Sequence, residues 1–185
     1  MQRFMQDVIE KLGENKFREM THMIVDMSPL GIIGEHKLRA LLWLCDKAMY
    51  LNSGKTISGK TYIKGSWGPE LRSSHVYTCD ANDEEILLNR KSRLFMGEVS
   101  EYISLKTPIF MSLSPEEREV IKKIVDKYVS AALGEVLTDA RCRAWETTES
   151  DKPIPMQAVR ADRSREPEPE DCKQAAEVDH RTDLG

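Results

Sequence analysis

A long apolar stretch over residues 35–52 constrains the fold of this chain more than any other feature. Its apolar side chains recur at helical spacing and spread over more than one face of the predicted helix. A helix of this kind has little surface left for water, so it lies near the centre of a helical domain. The stripe consists of Leu38, Leu41, Leu42, Cys45, Ala48 and Met49, broadened by Trp43, Leu44 and Leu51.

Four other segments repeat apolar residues at helical spacing, so we expect a mainly α fold, a bundle of about five helices. The last segment has the most complete start signal. Ser114 suits the N-cap, Pro115 suits the first turn, and Glu117 completes a capping box. The first two segments are separated by the letters GEN at 13–15. The predicted helices cover residues 1–12, 17–27, about 83–104 (capped by Asp80 or Asn82) and 115 to about 133.

The letters SGKTISGKTYIKGSWGPEL at 53–71 interrupt this helical pattern. Glycines recur along them, and β-branched and aromatic residues lie between the glycines. This composition predicts a small β-hairpin over 55–70, with Gly54 and Gly59 as turn residues.

Two charged residues, Asp46 and Lys47, interrupt the apolar stripe before this hairpin. One interpretation is a solvated helix end, at which Lys47 interacts favourably with the helix dipole. The interpretation we prefer gives Asp46 a structural role. Its carboxylate would be buried and would hold the hairpin by accepting a hydrogen bond from Tyr62 or from a backbone N–H.

The hairpin also contains the pattern G-x-x-x-x-G-K-T, from Gly54 to Thr61, which is typical of phosphate-binding loops. A working loop of this kind follows a buried strand and opens a helix. Here a helix precedes the pattern, and Gly65, Gly68 and Pro69 follow it. A nucleotide-binding enzyme with a P-loop is therefore the least favoured interpretation.

Nucleic-acid binding is a second alternative, because Lys55, Lys60 and Lys64 alternate with Tyr62 and Trp67. Such a surface could stack on bases and neutralise phosphates. However, lysines also protect exposed hairpin edges from aggregation, and the formal net charge of −4 argues against a general nucleic-acid binder.

The C-terminal end differs in composition from the rest of the chain. Residues 150–185 carry nine acidic and six basic residues, and four prolines follow residue 147. Few large aliphatic residues are present, so the segment cannot bury enough apolar area to offset its ordering entropy. We expect a domain over residues 1–157 and a flexible charged tail over 158–185, disordered from about residue 160.

Other function classes have no sequence signal. No run of 18 apolar residues is present, so we expect no membrane partner and a cytoplasmic location. The four cysteines include no closely spaced pair, so we expect no metal and no cofactor. No Ser/His/Asp or Cys/His signature indicates catalysis, so we expect a protein that is not an enzyme.

Three blocks of the sequence, in this order and spacing, resemble the Panacea domain, a family of SocA-like antitoxins of bacteria and their phages. The likeness covers roughly residues 30–156 and includes the closing letters AW at 144–145 and PIPM at 153–156. Family members often carry a histidine shortly before that tryptophan, and this chain has none. The blocks are HKLRALLWLCDKAMYLNSGKTISG (36–59), TYIKGSWGPEL (61–71) and LSPEEREVIKKIVDKYVSAALGEVL (113–137).

The resemblance implies a mainly helical domain with a small β element and a role in a toxin–antitoxin system, often in a prophage. Such an antitoxin neutralises its cognate toxin by direct protein–protein binding. Some SocA-like members instead act as adaptors that deliver the toxin to a Clp-type protease, and a prophage nucleic-acid-binding regulator is a further alternative. We expect structural roles for Asp46 and Trp145. The residues expected to bind the partner are Tyr62, Lys64, Trp67, Gly68 and Pro69.

Overall fold

The structure is a computed structural model that describes residues 2–72, 85–93 and 97–163. In these ranges it contains six α-helices and five β-strands, which confirms a mainly helical chain with a small β component. The helices are α1 (Gln2–Asp26), α2 (Glu35–Ser53), α3 (Pro115–Tyr128), α4 (Leu133–Ala140), α5 (Arg143–Thr147) and α6 (Met156–Arg163). The strands are β1 (Ile32–Gly34), β2 (Tyr62–Lys64), β3 (Pro69–Leu71), β4 (Ile86–Arg93) and β5 (Gly97–Ser104).

The central position predicted for the apolar helix is confirmed in α2. Leu38, Leu41 and Trp43 are completely buried, and α1, α3, α4 and α6 all contact this helix. The Nε1 of Trp43 donates a hydrogen bond of 3.0 Å to the carbonyl oxygen of Ala140 in α4. Each large apolar side chain buried in this way stabilises the fold by about 1.5–3 kcal/mol.

The helix α1 is continuous, so the predicted interruption at residues 13–15 is wrong. A glycine inside a helix costs only about 1 kcal/mol. The second half of α1 offsets this cost by burying Met20 and Ile24 completely. Gly13 lies close to the loop that follows α2, where an added Cβ would come 3.7 Å from the Ser58 carbonyl oxygen.

A three-stranded antiparallel sheet with the order β1-β5-β4 occupies the region predicted to be a helix over 83–104. That prediction is wrong. The polar letters NRKSR at 89–93 interrupt the assumed helical stripe for more than one turn. In addition, β5 pairs on its other side with β1, a strand from far earlier in the chain. Pairing of β5 with β4 on one side and with β1 on the other outweighs a weak local helical pattern.

The start predicted for α3 is confirmed, including its capping box. The Ser114 hydroxyl accepts a hydrogen bond of 3.2 Å from the Glu117 N–H, and the Glu117 carboxylate accepts one of 2.8 Å from the Ser114 N–H. The largely buried Glu117 also forms an ion pair with Lys16 of α1. The cap of α3 therefore joins this helix to α1.

The helix α6 crosses the boundary expected at residue 157. Val159 is buried, and α6 contacts α2 and α5, so the folded part of the chain extends beyond that boundary. The tail after residue 163 and the expected cap residues Asp80 and Asn82 lie outside the described residues.

Candidate functional site

Asp46 is a completely buried carboxylate on α2 that holds the loop between α2 and β2. It accepts hydrogen bonds from the backbone N–H of Ile57 at 2.7 Å and of Ser58 at 2.9 Å, and another from the Ser58 hydroxyl. The Tyr62 hydroxyl donates a further bond of 2.8 Å. The hydrogen bonds predicted for Asp46, from Tyr62 and from the backbone, are therefore present.

Burial is the largest influence on the protonation of this cluster. Loss of water raises the pKa of Asp46 above its ordinary value, while the hydrogen bonds from Ser58, Tyr62 and Ile57 act in the opposite direction. Burial, and then the nearby charge of Asp46, raises the pKa of Tyr62 well above its ordinary value. Tyr62 is therefore a neutral hydrogen-bond donor at physiological pH.

The G-x-x-x-x-G-K-T segment does not have the geometry of a phosphate-binding loop. Gly54 (φ 75°) ends α2 in the left-handed region, and Gly59 (φ 65°) bends the loop before β2, so neither residue forms the hairpin turn as predicted. A strand follows the segment where a P-loop has a helix. The N–H groups of Ile57 and Ser58 donate to Asp46. The chain's own carboxylate thus takes backbone donors that a phosphate would need.

The hairpin consists of β2 and β3, and its turn closes through a 3.1 Å hydrogen bond from the Gly65 N–H to the Gly68 carbonyl oxygen. The free edge of β2 is covered by residues 151–154, through backbone hydrogen bonds of 3.0, 3.0 and 2.8 Å. The hairpin is therefore held by Asp46 near its start and by the proline-containing segment along its edge.

Of the five residues predicted to bind a partner, Trp67 alone is widely exposed, at 61%. Lys64 is half-buried, and Gly68 and Pro69 are buried in the turn. Tyr62 is only 2% exposed, so the expectation that it is a surface anchor is wrong. Its hydroxyl bonds to the buried Asp46, which brings the ring into the core.

Arg141, directly after α4, connects Trp67 to Trp145. Its Nε donates a hydrogen bond of 2.8 Å to the Trp67 carbonyl oxygen, and its Cζ lies 5.5 Å from the centroid of the Trp145 ring. The Nζ of Lys64 lies 4.9 Å from the same centroid. Trp145 itself is partly buried and packs against the core, as a structural residue would. We call Lys64, Trp67, Arg141 and Trp145 the tryptophan face.

Polar groups of the tryptophan face have few partners in the described part of the chain. Lys64 donates through Nζ to the Glu146 carbonyl oxygen at 2.7 Å, and Arg141 uses only its Nε. Neither cation forms an ion pair with a carboxylate of the described residues. The buried Nε1 of Trp145 has no hydrogen-bond acceptor there either. The face therefore presents positive charge next to an exposed aromatic ring.

The lysines of the hairpin region contact different helices. The Nζ of Lys60 lies 5.2 Å from the ring centroid of Phe17 in α1, whereas Lys64 contacts Trp145 in α5. This placement does not bring the two lysines to one nucleic-acid surface with Trp67.

A second exposed apolar surface lies on the loop between β5 and α3. Glu19 of α1 accepts hydrogen bonds of 2.8 to 3.1 Å from three successive N–H groups at 111–113. His22, one turn further along α1, has its Nε2 2.9 Å from the Lys106 carbonyl oxygen. The anchored loop exposes Ile109 at 76% and Met111 at 87%. No motif in the sequence singled out this surface.

Metal-ligating side chains and the buried thiol of Cys45 are two further kinds of group in the described ranges that could carry chemistry. No group of three or more His, Cys, Asp or Glu residues there is placed to hold a metal ion. Cys45 is buried in α2, and burial followed by the charge of Asp46 raises the pKa of its thiol well above the ordinary value. None of the helices in these ranges combines the length and apolarity needed to cross a lipid bilayer.

Comparison of the chain with protein-family models, with curated proteins and with solved structures finds no match.

Proposed function

We propose that this chain is a non-catalytic interaction protein, an antitoxin that binds and neutralises a cognate protein toxin through the tryptophan face. The observation that carries the proposal is the 61% exposure of Trp67 on a turn held at both ends of the hairpin. Tryptophan is among the residues most enriched at interface hot spots, because a partner removes a large aromatic surface from water. A turn held in place by hydrogen bonds also loses little conformational entropy on binding.

The resemblance to Panacea antitoxins supports the same proposal. The blocks that carry the resemblance contact each other: Tyr62 of the second block bonds to Asp46 of the first. The tryptophan of the closing AW pair, Trp145, contacts Lys64 of the second block. The second block and the closing tryptophan, which are far apart in the sequence, thus meet at the tryptophan face, which favours a common recognition role for them.

Co-expression with a candidate toxin gene from the genomic neighbourhood tests the proposal. The intact chain should restore growth, and Trp67→Ala should lose most of the rescue, since a hot-spot truncation costs about 2 kcal/mol or more, roughly a thirtyfold loss of affinity. Met111→Ala is the matched control, because Met111 is also an exposed apolar residue but lies on the other surface.

Three outcomes would contradict the proposal: a neighbouring gene that is harmless alone, full rescue by Trp67→Ala, or loss of rescue by Met111→Ala only.

Toxin abundance in the same cells separates two mechanisms. If the chain sequesters the toxin, the amount of toxin stays constant, whereas if the chain delivers it to a Clp-type protease, the amount falls.

A further inference from the structure

The cations of the tryptophan face create a binding site for negative charge. Lys64 and Arg141 both lie within 5.5 Å of the centroid of one indole, and neither has a carboxylate partner in the described residues. Two cations beside one ring attract negative charge, and an acidic segment bound there would supply the carboxylates that both of them lack. Arg141 keeps its terminal guanidinium N–H groups free of hydrogen bonds within the described chain, and these groups suit a carboxylate.

The most acidic part of this chain follows a helix that packs beside that site. The last described helix, α6, packs on α5, the helix that carries Trp145. The 22 residues at 164–185 contain seven acidic and three basic residues, a net charge of −4. Four of the acidic residues are concentrated in one short stretch: Glu166, Glu168, Glu170 and Asp171.

We propose that residues 166–171 of this chain bind its own tryptophan face through Lys64 and Arg141, and thereby compete with the protein partner for that face.

The length of the segment permits this contact. Residues 151–154 pair with β2, and α6 begins at Met156, so the N-terminal end of α6 lies beside the strand that carries Lys64. The eight residues of α6 extend about 12 Å. An extended chain covers about 3.3 Å per residue, so residues 166–171 reach about 10–26 Å back from Arg163. Prolines at 167 and 169 favour the extended form that such a return requires.

This contact would regulate the proposed interaction. A partner with higher affinity for Trp67 displaces the acidic segment, and a weak or non-cognate protein does not. Because the acidic segment is tethered, its effective concentration at the face is high even if its intrinsic affinity is low. The tryptophan face is thereby protected against non-specific association.

A spin label at Cys172 tests the contact in the full-length chain, with Cys79 and Cys142 replaced by serine; Cys45 is buried and stays unlabelled. The label lies next to Asp171, so it should broaden the indole N–H nuclear magnetic resonance signals of Trp67 and Trp145 more than that of the buried Trp43. Glu166→Gln/Glu168→Gln/Glu170→Gln/Asp171→Asn should restore both signals. Salt near 1 M should do the same, because it reduces the screening length to about 3 Å.

A matched control neutralises the distal tail instead, with Glu177→Gln/Asp179→Asn/Asp183→Asn. This variant should keep the broadening, because the proposal places the contact at 166–171. Unchanged Trp67 and Trp145 signals in the labelled chain would overturn the proposal. So would broadening that depends on protein concentration, which would mean that the tail of a second copy occupies the face.

The partner supplies a separate measurement. If the toxin binds the tryptophan face, neutralising residues 166–171 should strengthen its binding several-fold, and neutralising the distal residues should not. Equal affinities for the two variants would overturn the competition. The spin-label result needs no toxin, so a failure of the antitoxin proposal and a failure of the tail contact can be distinguished.

Discussion

Two regions of one hairpin segment differ in how completely their polar groups are satisfied. Around Asp46, two backbone N–H groups and two hydroxyls all donate to one buried carboxylate. At the tryptophan face, the two cations donate only to backbone carbonyl oxygens and pair with no carboxylate of the described chain, and the Trp145 indole N–H has no acceptor there. The difference separates two roles. Changes at Asp46 should reduce stability, whereas changes at the tryptophan face should reduce binding.

The largest effect is expected for Asp46→Ala. The substitution leaves the donors of Ile57, Ser58 and Tyr62 buried without an acceptor, at about 1–3 kcal/mol for each unsatisfied group. The free energy of unfolding, measured by urea denaturation, should fall by at least about 3 kcal/mol.

The control for this substitution is Asp126→Ala in α3. Asp126 forms an exposed ion pair with Lys122, so its loss should change the free energy of unfolding by no more than about 0.5 kcal/mol. Similar losses for the two variants would show that Asp46 does not organise the loop.

Tyr62→Phe should have an intermediate effect and sharpens the comparison within the hairpin. It removes one hydroxyl donor to Asp46 and keeps the buried ring, so the free energy of unfolding should fall by about 1–2 kcal/mol. Because Tyr62 is 2% exposed, the affinity for the proposed toxin partner should not change when both proteins are folded. A large loss of affinity with unchanged stability would mean that Tyr62 contacts the partner directly.

The pH dependence of stability should report on the buried region around Asp46. Burial raises the folded-state pKa of Asp46 above the ordinary value of 3.8. The resulting stabilisation is therefore fully present below pH 3.8 and is lost as the pH rises through the folded-state pKa. As the pH rises from 3.8 through the folded-state pKa, the unfolding free energy of the wild type should therefore fall relative to that of Asp46→Asn, which cannot lose this proton. A relative rise would mean that the hydrogen bonds outweigh burial.

The smallest effect on stability is expected for Trp67→Ala, the variant with the largest expected effect on binding. The side chain is 61% exposed, and Arg141 bonds to the backbone carbonyl, which the substitution retains. Thermal unfolding should therefore show a change within about 0.5 kcal/mol. A loss of several kcal/mol would mean that Trp67 belongs to the core and that its loss of rescue reports unfolding.

The accuracy of the sequence predictions follows the range of the interactions. The α3 cap and the bonds around Asp46 connect residues that are 3 to 16 positions apart, and the sequence predicted both. The bond from Arg141 to Trp67 spans 74 positions, and nothing local marks Arg141 as a functional residue. The sheet is an exception to this rule, because most of its pairing joins the neighbouring strands β4 and β5, and the sequence still predicted a helix there.

The sequence by itself determined the central helix α2, the start of α3 and the use of Asp46 as an internal acceptor, because periodicity, capping and buried charge act over short segments. Only the tertiary structure decided that β4 and β5 form strands and that Tyr62 is buried. It alone also decided that Lys64, Trp67, Arg141 and Trp145 form one face. The physical reason is that exposure and charge pairing depend on which distant segments pack together, and packing has no signature within a single segment.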